Sequence, residues 1–265
     1  MRILRTVGVF LLWNIAAGGL VVLLPFPYGL IGALAFYGWL LKGYLLRGGP
    51  GEARRRAALR LRPLRAEPLR WTLLAIPVLL LLSWSLGDVY TRLVPVPTET
   101  LNPFESIMRT ATGRLTIAVF AIGVAPVVEE FVFRGFVQRE LERRHGPALG
   151  ITLAAVLFAV VHFLPWVFPL HFVLGFAFGF AVYATRSIWS GVILHAANNT
   201  AAVIGFGLGE EEIEPTGGFW STGPTAELYV SLGMLAGALL LAAWLGSRLW
   251  AAGRPERLRD RGAVI

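Results

Sequence analysis

Residues 115–137 form an apolar run about long enough, at 1.5 Å per residue, to cross a bilayer, yet the run contains Glu129, Glu130 and Arg134. In hydrocarbon every backbone polar group must be satisfied within its own segment, which restricts such a run to a helix. Ionisable side chains at that depth are costly and mark function, and they face protein or a cavity rather than lipid. The chain must therefore surround this helix with others. It has the material: further apolar spans cover residues 3–24, 28–46, 71–87, 148–163, 168–185, 188–208 and 228–246. The expected fold is all-α, a polytopic membrane helix bundle of about eight transmembrane helices, forming one membrane domain over residues 1–265.

Composition agrees, with 56% hydrophobic residues, 15% charged residues and a mean hydropathy of +0.66. The net charge of +8 does not point to nucleic acid, because the arginines cluster at the ends of apolar spans, where anionic headgroups lie. Arg47, Arg54, Arg55, Arg56, Arg60, Arg62, Arg65 and Arg70 make residues 47–70 a basic loop, with a short amphipathic helix expected on the headgroups at residues 53–64. Arg139, Arg143, Arg144 and Arg186 follow later spans. With eight crossings all basic segments fall on one side, so both termini are expected in the cytoplasm, and the acidic run from Glu210 to Glu214 outside. The first span continues apolar to Leu24, which favours a retained helix over a cleaved signal peptide. Arginine- and leucine-rich usage points to a bacterial plasma membrane. The chain has no cysteine, which excludes disulfides, thiolate metal sites and cysteine nucleophiles.

Helix geometry divides the two acids. Glu130 and Arg134 are four apart on one face in the favourable order for an ion pair, whereas Glu129 points about 100° away with Phe133 as its i+4 neighbour. The arginine can neutralise Glu130, leaving Glu129 to face a cavity and exchange a proton with water. Pro126, one turn earlier, removes a backbone hydrogen bond beside it. The bland alternative is an ion-pair cluster that only locks helices together. His162 and His195 each sit in a later apolar run. Alone, either reads as an interhelical hydrogen-bonding residue; together with the acids they suggest chemistry. Phe158 lies one turn below His162, and Asn198 and Asn199 follow His195 at i+3 and i+4. Imidazole and amide N–H groups are the donors that a tetrahedral oxyanion requires. His145 reads as solvated and His171 as a helix-start residue outside the site. Gly175-x-x-x-Gly179 and Gly233-x-x-x-Gly237 read as helix-packing patterns without chemical meaning.

Glu-Glu-x-x-x-Arg at Glu129 to Arg134, Phe-x-x-x-His at Phe158 to His162 and His-x-x-x-Asn at His195 to Asn199, in that order, resemble the CPBP family of intramembrane proteases, which includes CAAX prenyl endopeptidases and bacteriocin-processing and abortive-infection proteins. The resemblance spans residues 126–200, within an expected catalytic core of residues 115–208. It implies an endopeptidase that cleaves a membrane-associated protein or peptide, including a lipid-modified one, by water. In that scheme Glu129 is the general base, His162 assists the water, His195 and Asn199 hold the oxyanion, and Glu130, Arg134 and Phe158 support the site. No cofactor is favoured; zinc on Glu129, His162 and His195 is the alternative. Two other classes fit the same residues less well, a proton- or ion-coupled transporter and a catalytically inactive scaffold. By span arithmetic His162 lies about 8 Å deeper than Glu129 and His195, so the fifth helix must tilt or start later than residue 148.

Overall fold

The computed structural model describes residues 2–25, 27–45, 52–94, 109–163, 165–208 and 225–257. Each expected span is a helix: α1 (Arg2–Leu23), α2 (Tyr28–Leu45), α4 (Ala66–Leu93), α5 (Ala111–His145), α6 (Pro147–Val160), α7 (Phe168–Thr185), α8 (Ile188–Leu208) and α9 (Ala226–Ala252). A short α3 (Glu52–Ala58) precedes α4, and a 3₁₀ turn, Pro165–Val167, precedes α7. Among the described residues there is no strand. Helices α4, α5 and α9, with Ile3–Val21 of α1 and Pro165–Thr185 around α7, are long and apolar enough to cross a membrane. Tyr28–Leu40 and Pro147–Val160 are shorter apolar helices. α8 is long, but His195, Asn198, Asn199 and Thr200 in its middle lower its hydropathy. The expected acidic run at Glu210 lies outside the described residues.

The polarity of this bundle is inverted relative to a water-soluble protein. Leu12, Ile15, Trp39 and Leu240 are more than half exposed on its outside, while Glu130, Arg134 and Gln138 are fully buried inside. An exterior this apolar suits lipid, and inside it Glu130 and Arg134 form an ion pair. The protein is an all-α membrane helix bundle. α5 is its centre, with α1, α6 and α8 packed against it, α7 between α6 and α8, and α9 along α4.

Three features position the site. Gly146, at φ +81°, supplies the left-handed turn that folds α6 back along α5. Glu129 stands 17 residues before it and His162 16 after, so the two side chains return to one level. α5 is helical to His145, eight residues past the expected limit of its span; measured from the shared turn, the depth mismatch disappears. α6 ends at Val160, so His162 sits in the following turn and not inside the helix as its apolar context suggested. Finally, the amphipathic helix expected at residues 53–64 is only the seven-residue α3. The chain leaves the helix at Leu59 because Leu59 and Leu61 bury their side chains in the bundle and Arg60 bonds Glu142.

Candidate functional site

Glu129, His162, His195 and Asn199 line one cavity of about 320 Å³ between α5, α6, α7 and α8. Glu129 retains 17% exposure of its side chain, and its Oε2 lies 4.0 Å from His195 Nε2. That gap is too long for a direct hydrogen bond and suits a single bridging water. Glu130 is turned away, as its pairing with Arg134 requires: its Oε2 is 3.1 Å from Arg134 Nε, and its Oε1 accepts a 3.2 Å hydrogen bond from His195 Nδ1–H. Glu130 therefore holds two groups, the arginine on its own helix and the imidazole on α8. Helix spacing alone reveals only the first.

The imidazoles are fixed by the same device. His162 Nδ1–H donates to the Phe158 carbonyl at 2.7 Å, and His171 Nδ1–H to the Val167 carbonyl at 3.0 Å. With Nδ1 occupied, a neutral ring carries its lone pair on Nε2. The Phe158 ring packs edge-on against His162 and His195, at 4.9 and 5.8 Å between centroids, and the Arg134 guanidinium lies 4.5 Å above it. Phe178 stacks on His195 at 4.8 Å.

One residue joins the cavity against expectation. His171 lines it, with its ring 4.0 Å from that of His162. Its helical spacing with Leu174 and Phe178, which also line the cavity, marks the inward face of α7 and could have revealed it. Asn198 lines it too, although it stands one residue from Asn199. His145 is exposed, as read from its basic turn.

Asn199 also has a partner on α5. In the π-helical stretch Val119–Val124 the Ala125 N–H reaches back to the Phe120 carbonyl, and Pro126 has no N–H to offer the next one. The Ala121 carbonyl is thus left open, and Asn199 Nδ2 donates to it at 2.7 Å. One of the two amide N–H bonds of Asn199 is committed to holding α5; the other remains for the cavity.

The glycine pattern of α7 also carries more than packing. Arg134 Nη2 donates to the Gly175 carbonyl and Gln138 Nε2 to the Gly179 carbonyl, both at 2.9 Å. These two α5 side chains, one turn apart, reach two α7 carbonyls one turn apart. A Cβ on Gly179 would stand 2.6 Å from Gln138 Oε1, so the close approach needs glycine. Among the described residues no group of three or more His, Asp or Glu side chains is arranged to hold a metal ion.

The polytopic all-α bundle thus gathers acid, imidazole and amide side chains around one interior cavity. Residues 111–201, about a third of the chain, match the family model described as Type II CAAX prenyl endopeptidase Rce1-like, and all three motifs fall inside that match. No curated protein and no solved structure matches the chain.

Proposed function

We propose that the protein is an intramembrane endopeptidase that hydrolyses a peptide bond of a membrane-associated protein or peptide with a water activated by Glu129. The observation that carries this reading is the Glu129 carboxylate facing His195 Nε2 across 4.0 Å in a cavity shared with His162 and Asn199, while Glu130 is fully engaged elsewhere. A water in this cavity donates one hydrogen to Glu129 and the other to His162 Nε2, an acceptor because Nδ1 is tied to Phe158. Glu129 removes a proton as the oxygen adds to the scissile carbonyl carbon. The resulting oxyanion accepts from the second Asn199 N–H. The C–N bond then breaks, and Glu129 returns its proton to the departing amine. No step is routed through a metal.

The test compares the membrane peptidome of cells carrying the wild-type chain with that of cells carrying Glu129→Gln, which keeps the shape but cannot accept the proton. Cleavage products that vanish in the variant at unchanged protein level support the reading. Identical peptidomes sink it. A strong zinc chelator is expected to leave cleavage intact, and loss restored by stoichiometric zinc would replace this mechanism with a metal-based one.

A further inference from the structure

At the arginine-rich end of the bundle, two cavities meet that have nothing to do with the candidate active site. The first, about 630 Å³, is a polar bowl between α3, α5, α6 and α7, whose wall carries Arg60, Arg139, Arg143 and Arg186 against only Glu140 and Glu142. The second, about 590 Å³, is a groove between α1 and α5 that begins at Arg5 and continues along Val9, Trp13, Phe131 and Phe136. Arg139 and Glu140 line both, so the bowl and the groove adjoin across a shared rim.

The bowl is built at some conformational cost. Arg60 and Arg186 both occupy left-handed backbone positions at helix ends, at φ 56° and 58°, where glycine would be unstrained. Both guanidiniums instead lie over the same ring, Tyr183, at 5.8 and 4.6 Å. Arg60 is 4% exposed and is fastened by Glu142, and its carbonyl accepts from Ile188 N–H at 2.8 Å. Four guanidiniums and two carboxylates leave the bowl net positive.

We infer that this pair of cavities binds an anionic phospholipid, its phosphate in the arginine bowl and an acyl chain in the groove between α1 and α5. Charge selects the headgroup, since cationic pockets between helices at a membrane face recognise anionic lipid. Shape selects a lipid over a free anion: the groove descends from Arg5 to Trp13, about 12 Å of helix, with apolar walls that only a chain would fill.

Native mass spectrometry of the purified full chain, delipidated in neutral detergent, tests this without reference to proteolysis. Titrated with phosphatidylglycerol, the protein is expected to hold one lipid at least about tenfold more tightly than it holds phosphatidylcholine. Arg139→Gln, an exposed position, is expected to weaken retention about fivefold, the share of one guanidinium near the surface. Val9→Trp fills the groove: Val9 lines it and is only partly buried, so the indole occupies the chain's path and is expected to abolish retention. Equal retention of the two lipids, or retention unmoved by both variants, overturns the proposal. Inorganic phosphate that displaces phosphatidylglycerol at matched concentration also overturns it, because the bowl would then be taking a bare anion.

Discussion

The two adjacent acids have opposite surroundings, and each makes its own prediction. Glu129 lines the cavity with one polar neighbour at 4.0 Å, so Glu129→Gln is expected to yield a folded, membrane-inserted protein with no measurable cleavage. Glu130 is wholly buried between Arg134 and His195. Glu130→Gln or Arg134→Ala strands a buried charge, at a cost of roughly 3–5 kcal/mol, and should appear as lost yield and a lowered unfolding temperature. Equal losses of activity at normal yield in all three variants would show that the roles are divided wrongly. A third residue at this level is Gly191 on α8, where an added Cβ would collide with the Glu130 carboxylate and stand 2.8 Å from Val182. Gly191→Ala is expected to resemble Glu130→Gln in a thermal unfolding assay, because it displaces the same carboxylate. The division of the acids was legible from helix geometry alone, since i to i+4 pairing is local. The roles of Gly191 and Gln138 were not. Both depend on which helices touch, and one sequence carries no record of contacts between residues 41 to 65 positions apart.

At the scale of the helix, α5 departs from α geometry on both sides of the acids, at Val119–Val124 and Phe131–Gln138. Such π stretches are frequent at functional sites. The first leaves the Ala121 carbonyl without a helical donor, and Asn199 supplies one from α8. Asn199→Ala should therefore do two things: lower turnover by about 10²–10³-fold through loss of an oxyanion donor, and destabilise the fold by about 1–3 kcal/mol through an unsatisfied carbonyl. Pro126→Ala tests the link. It restores an N–H that can bond Ala121 within α5, so the stability cost of Asn199→Ala should shrink in the Pro126→Ala background. A double-mutant cycle on unfolding free energy reads this directly, and strict additivity would refute the coupling. The sequence announced Pro126 as a helix disturbance but not its form. Whether a proline kinks a helix or shifts it into π register depends on what satisfies the freed carbonyl, here a residue 78 positions away.

At the scale of the whole molecule, span count and interior polarity were readable because a bilayer imposes length and apolarity on every crossing. The level at which the site sits was misjudged by taking hydropathy limits as helix limits; α5 continues past Val137 through charged residues to the turn at Gly146. The hairpin arithmetic around that turn, 17 residues back to Glu129 and 16 forward to His162, would have given it. The absence of cysteine makes a clean test of orientation. Single cysteines at the exposed positions Thr91, His145 and Arg254 report the far end of α4, the turn between α5 and α6, and the segment after α9. The arginine excess around the latter two predicts that His145→Cys and Arg254→Cys react with an impermeant maleimide only after the membrane is opened. Thr91→Cys, across one crossing from the basic segment before α4, is expected to react in intact cells. Labelling of Thr91→Cys and His145→Cys from the same side would break the eight-crossing arrangement. It would also reverse the face from which a substrate must approach Glu129, since α6 carries His162 inward from the Gly146 end.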